Sequence, residues 1–463
     1  MSLNSMIISG FFVYFAALLI YIYYHSKKIS EDTFVIGGRK IGVIGTVSST
    51  AVSIRDGGGI IFWIGSGYVL GYAGLWLIFG LITGYLTYPF FVHKVRQEAK
   101  EKNYITIGNL IRERLGENTA KTISVIILMF AILVASIQLY VIGNLFSQVT
   151  DFNPTVTVLV SALIVGLYLS WGGYESVVKT DVIQFFIIFA MILAVFTLPL
   201  KSEHVFDYQS LFSDSFNNSA WLYVLGFFYA FCSPDVWQRI FSAKNDKVVK
   251  VAFPLVGPIM LILTLSLLFI GMAGKGLLTG DINSGNAFVE LFSQHIFSDY
   301  FMVFLFVVMV SICMSTLDSM TYVFSSTIQE DIIKEDVNVD HGKYIKLSKI
   351  IMISFLIISC IMALSISDII NYLFSSFTVI VVLTPLFIGV ATGKLRAVNK
   401  NTDKIMAWGL AICTITHMTM FALGILNDNQ WYQLASAFAY SIFVAAYAAT
   451  HKINGKIKRK QVS

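Results

Sequence analysis

Long apolar segments separated by short polar stretches run along almost the whole chain. Scanned with a window of about 20 residues, the length that an α-helix needs to cross a bilayer, the sequence predicts about thirteen membrane-spanning helices. They cover residues 5–24, 42–66, 69–93, 121–146, 154–171, 181–199, 220–241, 250–273, 298–322, 347–366, 369–393, 404–424 and 431–450. The pattern predicts an all-α protein embedded in a lipid bilayer.

The second span is interrupted near its start by Ile54-Arg55-Asp56-Gly57-Gly58-Gly59. Charged side chains are costly at membrane depth, and consecutive glycines weaken a helix and leave backbone groups without partners. A break of this kind is tolerated where it lines a cavity. We therefore expect a binding site at this break.

A second interruption, Cys232-Ser233-Pro234-Asp235, falls in the span 220–241. A repeat unit with an odd number of spans inverts its second copy, and paired interruptions indicate an inverted-repeat transporter with a midplane site. The predicted units are an extra N-terminal helix (5–24), a first five-helix repeat (42–199), a second five-helix repeat (220–393) and two extra C-terminal helices (404–450). An ordinary proline kink is the alternative explanation of the second interruption.

The composition agrees with a membrane protein, because 56% of the residues are hydrophobic and only 13% are charged. No phosphate-binding loop, nucleophile elbow or zinc motif is present, so the sequence does not indicate an enzyme. The net charge of +5 is better explained by membrane topology than by nucleic-acid binding. Nothing in the sequence indicates an obligate protein partner.

The lysines and arginines are distributed one-sidedly. If the N-terminus lies on the outer side of the membrane, Lys201 and Lys275 are the only lysines or arginines that also fall on the outer side. The inside charges are Lys27, Lys28, Arg39, Lys40 and those of the segments 94–121, 239–250, 334–349, 394–404 and 452–460. The positive-inside rule therefore predicts an outside N-terminus and a cytoplasmic C-terminus in a cell inner membrane or plasma membrane. The first span lacks a basic leader and a cleavage site, so we expect it to be retained.

One face of a later span carries hydroxyl groups. Ile312, Ser315, Thr316 and Ser319 follow helical spacing, so three hydroxyls share a face beside Asp318. Such oxygens suit a hard cation, and carbonyl oxygens released by the first break would complete a Na⁺ site. The alternative is that these hydroxyls bond back to their own helix, as they often do in membranes.

The candidate core charges allow for bound cations. Arg55, Asp56, Asp181 and Asp318 sum to −2, which one or two cations would balance. Asp181 opens the predicted span 181–199, where an acid at a helix N-terminus that is stabilised by the helix dipole is an equal explanation.

Arg55 indicates the chemistry of the solute. A guanidinium at a helix break, next to free N–H groups of the following half-helix, suits an anion such as a carboxylate. An internal ion pair with Asp56 or Asp318 is the alternative. The candidate solute-binding residues are Arg55, Gly58, Gln138 and Tyr229. The polar uncharged members of this set would serve equally well in helix–helix hydrogen bonds.

Four motifs lie in order between residues 30 and 335. They are Asp32-Thr33-Phe34-Val35-Ile36-Gly37-Gly38-Arg39, Tyr104-Ile105-Thr106 with Arg112 to Gly116, Trp171-Gly172-Gly173 through Thr180-Asp181 to Gln184, and Met314-Ser315-Thr316-Leu317-Asp318-Ser319 followed by Glu330-Asp331. In order and spacing they resemble the sodium:solute symporter family, which includes the sodium–proline and sodium–galactose transporters. The resemblance implies a leucine-transporter-type core of two inverted five-helix repeats.

Carried over position by position, the resemblance also implies ion sites. The main Na⁺ site would use the carbonyl oxygens of Ile54, Gly57 and Ile312 and the side chains of Ser315 and Thr316. A second Na⁺ site, found in some members, would fall on Asp181, Asp318 and Ser319. This chain departs from the proline branch, because an ungapped alignment puts Ile60, Gly226 and Ala230 at positions of aromatic residues that are associated with proline recognition. Arg55 also stands where the family typically has a small residue.

These expectations together describe a secondary active transporter that works by alternating access. It would couple inward Na⁺ flow to uptake of a small organic solute that carries a carboxylate, such as an amino acid, a monocarboxylate or an acidic sugar. One alternative is a transporter-like membrane sensor, although the chain ends at Ser463, about a dozen residues after its last predicted span, so we expect no signalling module to follow. The other is a proton-coupled carrier in which Asp181 or Asp318 titrates.

Overall fold

The computed structural model describes residues 3–26, 31–150, 152–195, 208–211, 215–275, 277–278, 282, 285, 287–294, 298–333, 341–397, 400–427 and 429–462. These residues are helical almost throughout, and the only β-type pairing among them is a bridge between Ile41 and Ala243. The prediction of an all-α membrane protein is confirmed. Features of the sequence analysis that lie outside the described residues are Lys27, Lys28, residues 196–199, Lys201 and residues 334–340.

The helices are numbered in chain order. The first half contains α1 (Leu3–Ser26), α2 (Glu31–Ile36), α3 (Val43–Ser53), α4 (Gly57–Leu70), α5 (Leu75–Leu86), α6 (Val92–Glu101), α7 (Ile107–Arg114), α8 (Glu117–Thr150) and α9 (Pro154–Val195). The second half contains α10 (Ser215–Cys232), α11 (Pro234–Ser242), α12 (Asp246–Lys275), α13 (Ala287–Ser293), α14 (Asp299–Thr327), α15 (His341–Ala363), α16 (Ile369–Val381), α17 (Thr384–Ala391), α18 (Lys400–Ala422) and α19 (Ala435–Val462). Shorter turns are Gly37–Arg39, Gly71–Gly74, Tyr88–Phe90, Tyr208–Leu211, Ile425–Asn427 and Gln430–Leu434, with a π-helical turn at Ile328–Ile333.

Ten helical segments of the described chain are long and apolar enough to cross a membrane, fewer than the number predicted. One reason is that neighbouring predicted spans are joined in single segments: Pro154–Ile192 holds the predicted span 154–171 and most of 181–199, and Gly57–Phe90 holds parts of 42–66 and 69–93. The apolar helices Val43–Ser53 and Ala220–Cys232 belong to broken spans and are shorter than a crossing. The count of about thirteen therefore stays a prediction.

Helix breaks are present at both predicted positions. Between α3 and α4, the carboxylate of Asp56 accepts a hydrogen bond from the backbone N–H of Gly59 at 2.7 Å and caps α4. Between α10 and α11, Ser233 has an extended backbone and Pro234 begins the new helix, a position where its missing N–H costs nothing. Local sequence chemistry thus explains why each span is divided into two half-helices.

Glycines allow the half-helices to pack closely against neighbouring helices. A β-carbon on Gly226 of α10 would lie 2.0 Å from the carbonyl oxygen of Leu77 on α5. A β-carbon on Gly271 of α12 would lie 2.0 Å from the carbonyl oxygen of Ile64 on α4. Backbones approach this closely only where no side chain intervenes, which is how small residues let membrane helices pack.

A glycine kink, rather than a loop, joins two of the predicted spans. The helix α9 runs from Pro154 to Val195 and changes direction at Gly173, whose φ of 54° favours glycine. A β-carbon on Gly173 would also lie 2.5 Å from the ring of Phe34. Asp181 therefore lies inside a helix and is fully buried. The alternative explanation of Asp181 as a helix N-terminal acid is therefore wrong, because the helix has already begun.

Candidate functional site

The two helix breaks are joined by a direct hydrogen bond. Ser53 Oγ, at the end of α3, donates to Asp235 Oδ2, in the first turn of α11, at 2.7 Å. Ser233 donates to the other carboxylate oxygen of Asp235. All three side chains are buried. The two interruptions that the sequence singles out therefore meet in the core.

The helix α14 passes beside the first break. Thr316 Oγ1 lies 3.2 Å from the carbonyl oxygen of Ser53 and 3.4 Å from that of Ile312. A β-carbon on Gly57 would lie 2.3 Å from Cys313 Sγ, so the backbone of α4 touches α14 at this point. Hydroxyl and carbonyl oxygens of the broken helix and of α14 therefore converge, and such a donor set suits a hard cation.

Ser315 is the second hydroxyl of this group. It donates its hydrogen to the carboxylate of Asp181, which also accepts a hydrogen bond from Ser49 of α3. Because its hydrogen points at Asp181, the oxygen of Ser315 keeps its lone pairs available for a cation. Thr321 of the same helix instead donates to the carbonyl of Leu317 at 2.7 Å, so bonding back to the helix describes that residue and not Ser315.

Asp318 is held by neutral donors. It accepts hydrogen bonds from Tyr168 Oη at 2.7 Å, from Thr180 Oγ1 at 3.2 Å and from the backbone N–H of Ser319 at 3.1 Å. All of these side chains are buried. Because Thr180 precedes Asp181 on α9, its bond places Asp318 beside the buried side chains around Asp181, which form the Asp181 cluster. Binding of a second Na⁺ by Asp181, Asp318 and Ser319 stays a prediction.

Arg239 lies in the middle of this cluster, although its place near the end of a predicted span indicated an inside loop charge. It is 2% exposed, and its guanidinium forms ion pairs with Asp235 at 2.8 Å and Asp181 at 3.3 Å. It also donates to Ser49 Oγ at 2.7 Å and to Ser319 Oγ at 3.0 Å. The available signal was the spacing of Asp235 and Arg239, which are four residues apart on one helix face.

Arg55 lies at the other side of the break and faces α12. Its Nη2 donates to the carbonyl oxygen of Met260 and to the hydroxyl of Thr264. Its guanidinium carbon lies 5.6 Å from the centre of the Trp63 ring, within the range of a cation–π contact. Its Nε is buried and has no hydrogen-bond partner among the described residues.

The internal ion pair that is the alternative role of Arg55 is not formed as a salt bridge. Within the part of the chain that the structure describes, the salt bridges do not include Arg55, and Asp56 and Asp318 accept their hydrogen bonds from other groups. The guanidinium is therefore buried without a salt bridge, although the charge of Asp56 acts on it across the same cavity, and a ligand carboxylate within hydrogen-bond distance would stabilise it further.

A small cavity of about 40 Å³ lies beside this guanidinium. Its lining includes Arg55, Asp56, Trp63, Tyr229 and Phe377. A larger cavity of about 260 Å³ lies next to it, between the end of α4 and the start of α10. Phe62 and Phe374 line both cavities and pack edge to face with their ring centres 5.4 Å apart. This aromatic pair separates the small cavity from the larger one.

The backbone N–H groups at the start of α4 already donate hydrogen bonds to protein side chains. Gln138 Oε1 accepts a hydrogen bond from the N–H of Gly57 at 2.6 Å, and Asp56 caps the next turn. A β-carbon on Gly58 would lie 2.8 Å from Ile137 and 2.7 Å from Leu373, so Gly58 is a packing position between helices. The expectation of free N–H groups at this helix start is therefore wrong, and Arg55 and Tyr229 remain as the predicted solute contacts that line the cavity.

Gly226 and Ala230, compared above with the proline branch, face another helix. Gly226 touches Leu77 of α5, and the β-carbon of Ala230 faces Gly84 of the same helix. Tyr229 and Leu225 of α10 are the residues that line the cavity instead. Positions 226 and 230 of this chain therefore face α5 and do not line the cavity.

Comparison with known proteins places this geometry in a family. The sodium:solute symporter family matches residues 34–392 of the chain. A sodium/proline symporter 2 of Staphylococcus saprophyticus is 27% identical over 346 residues, which are 70% of this chain and 67% of that protein. A sodium/proline symporter of Staphylococcus aureus is 26% identical over 347 residues, with the same two coverages.

Solved structures show the same fold. A Na⁺-coupled sialic acid symporter in a substrate-bound outward-open state has a TM-score of 0.76 and 17% identity, and the match covers 96% of this chain and 98% of that one. Mhp1, a nucleobase-cation-symport-1 family transporter, has a TM-score of 0.55 and 12% identity over 89% and 94% of the two chains. The leucine-transporter-type fold implied by the sequence motifs is therefore confirmed.

Proposed function

Because this chain belongs to the sodium:solute symporter family, we propose that it couples inward Na⁺ flow to uptake of a small solute that carries a carboxylate. Na⁺-coupled solute symport through a membrane, rather than enzymatic catalysis, follows from family membership. The solute class and the residues that bind solute and ion are the proposed part.

The observation that carries the solute class is the buried guanidinium of Arg55. Its Nε has no hydrogen-bond partner in the described structure, and the residue lines a cavity with Tyr229. A carboxylate can accept two parallel hydrogen bonds from a guanidinium and would give Arg55 the direct ion pair that it does not form with Asp56. The relative and the structural neighbour are named for proline and sialic acid, both of which carry a carboxylate.

We propose that Na⁺ binds between the first break and α14. The ligands would be the carbonyl oxygens of Ile54, Gly57 and Ile312 and the hydroxyls of Ser315 and Thr316, since Thr316 already reaches across the gap to α3. Na⁺ would thereby fix the break that also carries Arg55. Solute and ion would then bind to one ordered arrangement, so each raises the affinity for the other.

The proposed topology places the larger cavity at the outer side of the membrane. With an outside N-terminus and a cytoplasmic C-terminus, the end of α4 at Leu70 faces outward, and this end borders the larger cavity. Solute would enter there, pass the Phe62 and Phe374 rings and reach Arg55. The five-helix repeats would then be residues 42–199 and 220–393, with the broken helices at corresponding positions.

Uptake by proteoliposomes tests the proposal. Purified protein would be offered labelled proline, sialic acid, lactate and galactose, with and without an inward Na⁺ gradient. Na⁺-driven uptake of a carboxylate with no uptake of galactose is the expected result. Na⁺-driven uptake of galactose alone would overturn the solute class, and equal uptake driven by a pH gradient in choline buffer would overturn Na⁺ coupling at the proposed site.

A further inference from the structure

Two side chains of opposite charge line the small cavity at the first helix break. Arg55 and Asp56 are neighbours in the chain, are 2% and 3% exposed, and border the same cavity of about 40 Å³. In the described structure they do not form a salt bridge with each other. Each charge is therefore available to a ligand that binds between them.

Each of the two groups keeps hydrogen-bonding capacity that the protein does not use. Arg55 donates to Met260 and Thr264 through Nη2, while its buried Nε has no hydrogen-bond partner among the described residues. Asp56 accepts the N–H of Gly59 at Oδ1, at 2.7 Å, which leaves the lone pairs of Oδ2 for another donor. The cavity therefore offers a donor for an anion and an acceptor for a cation.

A carboxylate without a positive group uses only half of this pair. Bound to Arg55, it would bring a second negative charge close to Asp56, and two carboxylates at close range repel each other. An ammonium group on the same solute reverses the sign of that interaction, because it donates to the Asp56 carboxylate. An α-amino acid carries both groups on one carbon, so its two charges can reach two neighbouring side chains.

The other described residues that line the cavity carry no charge. They are mainly aliphatic and aromatic, and they include Leu225, Tyr229 and Phe377. Trp63 also lines the cavity and already faces a cation, since its ring centre lies 5.6 Å from the guanidinium carbon of Arg55. Aromatic faces attract an ammonium group as they attract a guanidinium, and apolar walls favour an apolar substituent.

We propose that Asp56 is a solute-binding residue that takes the ammonium group of a zwitterionic, apolar α-amino acid, whose carboxylate binds Arg55. This proposal rests on the proposed symport of a carboxylate and names the class of carboxylate. Asp56 then determines specificity. An acid without the amine keeps the contact with Arg55 but is repelled by Asp56, and an amine without the carboxylate is repelled by Arg55.

An asparagine at position 56 separates the charge from the helix cap. The amide oxygen of asparagine can accept the N–H of Gly59, and asparagine caps a helix about as well as aspartate. Asp56→Asn should therefore keep the cap of α4 and lose only the negative charge. Asp368→Asn is the matched control, because Asp368 caps α16 by accepting the N–H groups of Ile370 and Asn371 and does not line the cavity.

Thermal stabilisation of the purified full-length protein by ligands, in Na⁺ buffer near pH 7, tests the proposal. The ligands are alanine, leucine, phenylalanine and proline, each beside the acid that lacks its amine and the amine that lacks its carboxylate, together with galactose. We expect at least one amino acid to reach half-maximal stabilisation at a concentration at least tenfold below that of either analogue. Asp56→Asn should reduce the preference over the amine-free acid by at least tenfold, and Asp368→Asn should keep it.

The outcomes distinguish this proposal from the proposed function. Amine-free acids that bind as tightly as the amino acids, or more tightly, would overturn the role of Asp56 and leave a carboxylate as the solute class. Binding of galactose alone, or of the amines as tightly as the amino acids, would overturn both.

Two further results would overturn the amino-acid proposal. One is a wild type that binds none of the amino acids, and the other is a preference that stays unchanged in a folded Asp56→Asn. If Asp56→Asn does not fold, the comparison of amino acids with amine-free acids on the wild type decides by itself.

Discussion

The hydroxyl oxygen of Thr316 lies 3.2 Å from the carbonyl oxygen of Ser53, across the gap between α14 and the broken helix. This contact connects a helix that is continuous at that point to one that is interrupted. A cation bound between them would hold the two helices together. The strength of Na⁺ activation should therefore depend on the hydroxyls of α14.

Replacing Ser315 and Thr316 together with alanine should weaken Na⁺ activation of transport by at least tenfold, a loss of about 1.4 kcal/mol or more, because two oxygen ligands are removed. The Na⁺ concentration for half-maximal uptake is the measurement. Thr321→Ala, which removes a hydroxyl that bonds back to the same helix, is the matched control and should change it little. Unchanged Na⁺ dependence in a well-expressed double variant would rule out the site.

Gly226→Ala should lower the thermal stability of the protein. The added β-carbon would lie 2.0 Å from the carbonyl oxygen of Leu77, so α10 and α5 must move apart at an overpacking cost of about 1–3 kcal/mol. The unfolding temperature in detergent is the measurement. Gly166→Ala is the matched control, since its β-carbon would meet only Leu356 at 3.4 Å, an ordinary contact. Equal melting of the two variants would contradict the close helix crossing.

The membrane orientation can be tested at two exposed positions. A cysteine at Lys343, near the start of α15, should react with a membrane-impermeant reagent only after the membrane is opened, because the proposed topology places it inside. A cysteine at Tyr300, 81% exposed near the start of α14, should react in sealed cells. Both would be made in a variant without the four native cysteines. Reversed labelling would invert the topology.

The sequence predicted both helix breaks because their causes are local. Aspartate caps and glycines at the first break, and a proline at the second, act within a turn of their own position. The sequence did not predict the continuous helix through Asp181, since Gly173 acts there as a kink that packs closely against Phe34. Whether a glycine ends a helix or bends it is decided by tertiary packing.

The ion site was predicted in part for a related reason. Hydroxyls at helical spacing on α14 are visible in the sequence, and Ser315 and Thr316 lie beside the break in the structure. Arg239 was missed because an arginine near the end of a span is normally a loop charge. Its carboxylate partner Asp181 lies 58 residues away in the chain. No local pattern reveals a pairing over that separation.

A pH effect on stability is expected from Glu98, on the polar helix α6. Burial alone would raise the pKa of Glu98, but the hydrogen bond and charge of Arg114, with those of Lys102, outweigh burial and lower that pKa. A lowered pKa in the folded state stabilises the protein above the pKa of the unfolded state, about 4.3, and this contribution is lost as pH falls through the folded value. Wild type and Glu98→Gln should therefore differ in unfolding temperature at pH 7, and the difference should shrink as pH falls below the unfolded value and vanish only below the lowered folded pKa of Glu98. Glu101→Gln, at an exposed position of the same helix, is the control and should follow the wild type at both pH values.

The role of Arg55 can be separated from simple structural support. Arg55→Lys keeps the positive charge but loses the planar pair of donors that matches a carboxylate, so it should weaken solute binding by tenfold or more while ²²Na⁺ binding and expression stay near those of the wild type. The solute concentration for half-maximal uptake, measured with the carboxylate that the wild type transports, is the readout.

A structural role of Arg55 would act through Thr264, whose hydroxyl it contacts. A double-mutant cycle of Arg55→Lys and Thr264→Val, read as thermal stability without solute, measures that coupling. Weak coupling in stability together with a selective loss of solute affinity in Arg55→Lys supports direct binding of the carboxylate. Strong coupling with unchanged solute affinity would make Arg55 a link between α12 and the break, and the buried guanidinium would then no longer favour an anionic solute over a sugar.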